Sequence, residues 1–487
     1  MKNLQKGLIW AACSFVILAH FYRLSTYLIN FPNWGDDFMY FRYVVDLPLL
    51  SWTDIWHRSF EFHGNIHRIP LSRIISAAYF YVGHEFNFKT LTILANGFMV
   101  ILIYPLYQFI KKSQLGYWQL IPIIGLLFAP NGNLDNYALI GVLTHTASMA
   151  FLLVVCYWIS QAQTRNLGIW ISLAYPLVIT DGLTFLLLVL LLLIYQKDSK
   201  FWIYGIFTGI IFTLYFQGYQ SAHASGISFN QLFFILQGAI IFIGGAVRHH
   251  YWTSLLFGSL MLIQTLILLY KYHVSKDGHY LFISLAAFQI MAVGALITIG
   301  RGDADAGDIG VLFAERFLIY GTVFIVLIYL GLLQLGQQYF SKQTAYLAVP
   351  ALLWIVVSWN AAIPKLENLH QRLIVDASNA LVFNLNTMYE FKDREVNSLK
   401  HAGAYQFPNN LLKIQSTDKL SENVVLTAMP NFEKGIKEFE VNGEGTLLVT
   451  QNNKAFCFLH INSLSHSVKM KEDLPINIEK SSFSLIR

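Results

Sequence analysis

Charge is scarce in this chain. Only 13% of its 487 residues are Asp, Glu, Lys or Arg, about half the share of a soluble domain. Hydrophobic residues make up 55% and mean hydropathy is +0.49, which excludes a globular soluble enzyme. Cysteine is nearly absent: Cys13, Cys156 and Cys457 lie far apart, with neither metal-ligand spacing nor a disulfide framework. No glycine-rich phosphate loop of the dinucleotide or P-loop kind occurs, which argues against direct use of a nucleotide-activated substrate. The alternating ten-residue segments of a membrane β-barrel are missing, and so is any internal repeat. The net charge of +5 is too modest for a nucleic-acid surface; it reads as loop Lys and Arg facing anionic lipid.

What the chain does have is apolar stretches. They recur over the first three quarters, many long enough to cross a hydrocarbon core of roughly 30 Å. Lipid satisfies no backbone hydrogen bonds, so such runs must be helices. Lys2 and Lys6 precede the run from Leu8 to Phe21, and no small-x-small cleavage site follows before Asn30. A retained first helix with a cytoplasmic N-terminus is expected. Spans are predicted near 7–29, 88–110, 117–130, 138–160, 167–180, 183–196, 201–217, 252–270, 280–299, 317–335 and 344–361, about eleven crossings by length and loop charge. Residues 30–87 form a first outer loop, in which Ile69 to Gly83 reads as an interfacial helix. Residues 229–250 are read as re-entrant or interfacial, because a crossing there would turn the Lys271–Lys276 loop outward.

The expected architecture is therefore an all-α polytopic module over 1–363 in a bacterial inner membrane. A small α+β extracytoplasmic domain follows over 364–487, on the periplasmic side. In that tail Asn384–Lys400 is expected to be helical, and Val424–Thr427, Gly445–Thr450 and Ala455–Ile461 to be strands between turn residues.

Polar clusters beside apolar spans are the informative positions in such a chain. Trp34-Gly35-Asp36-Asp37-Phe38 puts two adjacent carboxylates just after the first span. Such a pair serves metal binding, a basic partner or proton abstraction, or simply starts a helix. Glu61-Phe62-His63-Gly64-Asn65-Ile66-His67-Arg68-Ile69-Pro70 brings His67 and Arg68 to the head of the interfacial helix. There they can bind a phosphate or anchor the helix at the headgroups. Gly300-Arg301-Gly302-Asp303, continuing to Ala314-Glu315-Arg316-Phe317, joins two spans. A glycine-rich loop with an Arg at each end can wrap a phosphate, and it can equally be a polar turn. Asp135, Asp181, His223 and Arg248-His249-His250 are lesser candidates at span ends, each read singly as structural.

On these residues the chain resembles the GT-C superfamily of membrane glycosyltransferases. It is similar, more closely, to bacterial polytopic proteins with a "GDD" start, an "EHRI"-like segment and a "GR…G…A…RY" segment. Here these read Gly35-Asp36-Asp37, Asn65-Ile66-His67-Arg68-Ile69, and Gly300-Arg301…Gly310…Ala314-Glu315-Arg316-Phe317. Asn-Ile stands on the Glu side of the second motif and Phe317 in place of Tyr. In size and layout it looks like phage-encoded serotype-converting glucosyltransferases, which decorate O-antigen from an undecaprenyl-phosphate sugar. The likeness covers roughly residues 1–361 and does not extend to the tail.

The resemblance implies a polyprenyl-phosphate sugar as donor and a glycan or lipid-linked glycan as acceptor, with no nucleic acid among the partners. It implies Asp36 or Asp37 as general base. His67, Arg68, Arg301, Glu315 and Arg316 would be the substrate and phosphate group. A divalent Mg or Mn at Asp36 and Asp37 is compatible with this reading and not required by it; no other cofactor is expected. An O-antigen polymerase or ligase, or a lipid-linked glycan transporter, is the competing expectation.

Overall fold

The computed structural model describes residues 2–33, 35–63, 67–129, 139–218, 229–245, 251–301, 310–339 and 348–383. In the tail it describes 385, 399, 405–409, 411–412, 421–423, 426–428, 436–441, 445–451, 454–471, 476 and 481–486. The protein is mostly helical, with a small sheet region at the C-terminal end.

Six helices among the described residues are long and apolar enough to cross a membrane: Leu4–Tyr27, Phe88–Lys112, Val142–Ser160, Tyr251–Ser275, Gly278–Gly300 and Leu318–Gly336. They belong to α1 (Lys2–Tyr27), the pair α5 (Phe88–Ile101) and α6 (Ile103–Lys112), α8 (Val142–Ser160), α13 (Tyr251–Ser275), α14 (Gly278–Arg301) and α15 (Leu318–Tyr339). The break between α5 and α6 falls four residues before Pro105, whose missing N–H removes one rung of the helical ladder. Four shorter apolar helices accompany them. These are α7 (Leu120–Phe128), extended at its head by a 3₁₀ turn, α10 (Gly182–Tyr195), α11 (Phe201–Tyr215) and α12 (Phe229–Gly244). At 1.5 Å per residue, α10 to α12 are roughly 21–24 Å long, short of the roughly 30 Å core.

One expected span differs in detail. The stretch 167–180 is not one helix: α9 (Arg165–Ser172) gives way to a 3₁₀ turn at Tyr175–Leu177, with Pro176 inside it. Residues 229–244 form α12, a regular helix wedged between α13 and α14, with Ile241, Phe242 and Ile243 buried. Its backbone approaches α13 closely. A Cβ at Gly244 would meet the carbonyl oxygen of Ser254, and one at Gly258 that of Ile240. Small residues permit this approach where apolar burial gives helices little reason to associate.

Between α1 and α5 the first loop folds into α2 (Gly35–Asp46), α3 (Trp52–Ser59), a two-residue hairpin β1–β2 (Phe62–His63, His67–Arg68) and α4 (Pro70–Gly83). Pro70 opens α4, where its absent N–H costs nothing. These pieces share a core with the tail, joining Phe38, Phe41, Val44, Phe86 and Phe88 to Leu366, Leu369, Leu373 and Tyr405.

The last helix, α16 (Ala348–Ser378), runs unbroken through Pro364. Its first half exposes Val349, Leu352, Leu353, Val356 and Val357. Its second half carries Lys365, Glu367, His370 and Arg372. Beyond it, β3 (Ser421–Asn423), β9 (Ser481–Ile486), β6 (Gly445–Gln451) and β7 (Lys454–Ile461) make one antiparallel sheet in that order. The second is β4 (Leu426–Ala428), β5 (Ile436–Val441) and β8 (Ser467–Lys471). Inward residues of both sheets, among them Val441, Leu447, Val449, Cys457 and Val468, form one core. Asn379 fastens this sandwich to α16: its amide oxygen accepts from Phe458 N and its amide nitrogen donates to Phe458 O, both at 2.8 Å.

Candidate functional site

The ends of several helices meet around a cavity of about 550 Å³. The first loop supplies Met39 and Tyr40 of α2 and His67 and Ile69 beside the hairpin. The heads of α8 and α10 supply Thr144, His145 and Asp181, and the tails of α11 and α14 supply Tyr215, Phe216, Ile297, Ile299 and Gly300. The 3₁₀ turn before α15 adds Arg316 and Phe317. Segments far apart in sequence, the first loop and the 300–317 junction, thus share one pocket.

Hydroxyls hold the first loop to the bundle. Thr144 Oγ1 lies 2.8 Å from Ser72 Oγ of α4 and 3.2 Å from Tyr40 OH. Arg68 N donates to Tyr215 OH at 2.9 Å and to Thr180 Oγ1 at 3.2 Å, and those two hydroxyls bond each other. The loop is therefore docked by polar contacts to α8, α11 and the turn before α10, not by one anchor.

A second network runs along the cavity wall. Tyr320, fully buried on α15, donates its hydroxyl proton to Asp181 Oδ2 at 3.2 Å, and the same phenol oxygen lies 3.0 Å from His145 Nδ1. Asp181 is held from behind: its carbonyl oxygen accepts from Gln289 Nε2 and from Thr184 Oγ1, both at 2.7 Å. The His145 ring meets Phe317 and Tyr320 edge-on, with centroids 5.4 and 5.6 Å away. Among the described residues lining the cavity, Asp181 is the one carboxylate and Arg316 the one guanidinium, flanked by the imidazoles of His67 and His145.

The residues singled out in the sequence fall in different places. His67 and Arg316 line the cavity, and the Arg316 guanidinium lies 5.5 Å from the Phe317 ring centroid. Asp37, only 1% exposed, is not among the cavity-lining residues. Its Oδ2 accepts from Asn33 N at 2.9 Å and its Oδ1 from Ile140 N at 2.8 Å. The carboxylate thereby ties the start of α2 to the chain entering α8.

Arg68 turns its guanidinium onto the backbone, donating to Phe60 O at 2.5 Å and Gln217 O at 2.6 Å, and lies 4.1 Å from the Phe62 ring centroid. Burial lowers its pKa from the ordinary arginine value, with Tyr215 acting the other way. Asp36 and Arg301 belong to the first turn of α2 and the last residue of α14, and Glu315 to the turn holding Arg316. The side chains of these three lie outside the described residues, as do Asp135, His223 and Arg248-His249-His250.

His145, Tyr320 and Thr144 were not singled out in the sequence, and Asp181 only as a lesser candidate. The signal that could have found His145 is its place in Thr144-His145-Thr146, a polar step at the head of an apolar span. Compared with protein-family models, curated proteins and solved structures, the chain shows no match.

Proposed function

We propose that this cavity transfers a sugar from a polyprenyl-phosphate-linked donor to a hydroxyl of a cell-surface glycan or lipid-linked acceptor, as a GT-C-like glycosyltransferase would. The supporting observation is the mixed wall of one pocket. Arg316, His67, His145 and Asp181 line it together with Ile297, Ile299 and Phe216. Ile299 and Phe216 are each 44% exposed. Polar groups suited to a phosphate and a hydroxyl thus adjoin apolar surface continuous with lipid-facing helices, which suits a ligand with a charged head and an isoprenoid tail.

In this reading the chain crosses a bacterial inner membrane about eleven times, the six long helices being joined by shorter ones that cross in combination. The N-terminus is cytoplasmic, and the cavity and tail face the periplasm. The donor enters from the bilayer, with its phosphate against Arg316. The guanidinium offsets the negative charge that builds on the phosphate as the anomeric carbon departs from it. Direct attack by the acceptor hydroxyl inverts that carbon, and a base must take the hydroxyl proton. Asp36, one turn before Met39 and Tyr40 of the wall, is the first-loop candidate; Asp37 serves the backbone of Asn33 and Ile140.

The test uses the full-length protein in lipid nanodiscs with a radiolabelled polyprenyl-phosphate hexose and an acceptor oligosaccharide. Label should pass to the acceptor from the lipid phosphate and not from a nucleotide sugar. No covalent product from any lipid-phosphate hexose, with the labelled lipid crossing the bilayer intact, would replace this reading with transport.

A further inference from the structure

We infer that the proton acceptor of this reaction is His145, held in its working state by Tyr320 and Asp181, and not a first-loop carboxylate. The inference rests on the sugar-transfer reading and differs from it only in where the proton goes. His145 and Asp181 both line the cavity, on different helices, and the buried Tyr320 phenol stands between them at 3.0 and 3.2 Å. A carboxylate can only accept, so the single phenolic proton points to Asp181. The contact to His145 then requires a proton on Nδ1, donated to the phenol oxygen. That fixes the neutral imidazole with its lone pair on Nε2, the tautomer a base needs.

The chain of bonds has a direction. The acceptor O–H bond breaks as its proton passes to Nε2 of His145. The oxygen's electron pair forms the bond to the anomeric carbon. The bond from that carbon to the phosphate oxygen breaks, its pair leaving on the lipid phosphate. His145 is then an imidazolium, whose charge is met through Nδ1–H and the Tyr320 hydroxyl by the Asp181 carboxylate. A base oriented by a second group, itself oriented by a third, is the general logic of an activated catalytic relay.

Three placements favour this assignment. Phe317, which meets the His145 ring edge-on, directly follows Arg316, and both His145 and the cation for the leaving phosphate line the one cavity. Gln289 and Thr184 immobilise the backbone of Asp181, so the far end of the relay is anchored to α10 and α14. In the first loop, by contrast, both oxygens of Asp37 are directed at backbone N–H groups. His145 is the catalytic residue of this proposal; Tyr320 and Asp181 are positioning residues.

The experiment measures kcat and the donor KM in nanodiscs for His145→Gln, Tyr320→Phe, Asp181→Asn, the Tyr320→Phe/Asp181→Asn pair and Asp36→Asn. His145→Gln should lower kcat by roughly 10²–10⁴-fold with little change in KM, the usual worth of a general base. Tyr320→Phe and Asp181→Asn should each lower kcat by less, and the double variant by no more than the larger single, because they act in series. Wild-type kcat in His145→Gln, or loss of turnover in Asp36→Asn alone, overturns the assignment.

A second measurement needs no turnover. Diethylpyrocarbonate carbethoxylates neutral imidazole, and peptide mass mapping reads its rate at His145. That rate should fall severalfold in Tyr320→Phe and Asp181→Asn at unchanged thermal midpoint; equal rates overturn the relay. If the wild type transfers no sugar from a lipid phosphate yet keeps this modification pattern, the sugar-transfer reading falls and the relay stands.

Discussion

Asp37 and Asp181 stand at the heads of two helices, α2 and α10, around the same end of the bundle, yet their surroundings treat them oppositely. Around Asp37 the backbone closes in. The N–H groups of Asn33 and Ile140 take one oxygen each, and Asn33 in turn accepts from Arg372 of the tail helix. Around Asp181 the backbone is secured independently, by Gln289 and Thr184 on its carbonyl, and the side chain meets a phenol on the cavity wall. A carboxylate whose oxygens serve buried N–H groups contributes to stability, since removing it strands donors that water cannot reach. One whose backbone is held by others, and whose side chain reaches a cavity, is placed where a ligand can meet it. The sequence shows two acids after a span and one acid before another; only the partners tell them apart.

The comparison can be broken most directly at Arg316. If the cavity wall is where the chemistry happens, Arg316→Ala should lower kcat/KM for transfer by about 10²–10³-fold, the usual cost of removing one preorganised charge stabiliser. The thermal midpoint, measured alongside, separates this loss from unfolding. Next in size is Asp37→Ala, which leaves the N–H groups of Asn33 and Ile140 buried without their acceptor. A loss of about 3 kcal/mol is expected, from two unsatisfied donors, read as a lowered midpoint in detergent. Activity per folded molecule should be retained. A stable Asp37→Ala protein with no turnover would reverse the roles argued for the two acids.

Much of the scaffold was legible in the sequence, because its signals are local. The helix expected over Ile69–Gly83 corresponds to α4 at Pro70–Gly83, and the expected strands 445–450 and 455–461 to β6 at Gly445–Gln451 and β7 at Lys454–Ile461. The short apolar run Leu447-Leu448-Val449 between turn residues carries that signal directly. The cavity was legible only in part. His67 and Arg316 were recognisable as polar residues beside spans. The contact between His145 and Tyr320 joins residues 175 positions apart, and no periodicity reports it. The fate of Arg68 was also hidden, since a basic residue at a membrane surface reads alike whether it meets a phosphate or a carbonyl.

The tail offers a counterpart to Asp37 that titrates. His460 on β7 donates Nε2–H to Asn368 Oδ1 at 2.7 Å, joining the sandwich to α16. Burial, and secondarily the nearby Arg372, lowers its pKa to about 4. The unfolded chain takes up this proton near pH 6.5 while the folded chain does not. Stability is therefore constant above about pH 7 and falls as pH drops from 6.5 towards 4, by about 3 kcal/mol. His460→Gln should flatten that slope in an acid-unfolding series followed by proteolysis of the tail. An unchanged slope would mean that another group governs acid sensitivity, and would separate this histidine from the buried structural class to which Asp37 belongs.

The smallest expected effect concerns Arg68, and it sharpens the comparison where sequence and structure speak differently. Its guanidinium donates from two nitrogens to Phe60 O and Gln217 O, joining the first-loop hairpin to the end of α11. Lysine offers one point charge and cannot span both carbonyls. Arg68→Lys should therefore cost about 1 kcal/mol of stability, one hydrogen bond's worth, and leave the donor KM unchanged. If Arg68 were instead a phosphate ligand, as its motif suggested, the same substitution would raise the donor KM and leave the thermal midpoint in place. The two outcomes move different observables, so a single variant decides whether this arginine belongs with Asp37, in the framework, or with Arg316, in the pocket.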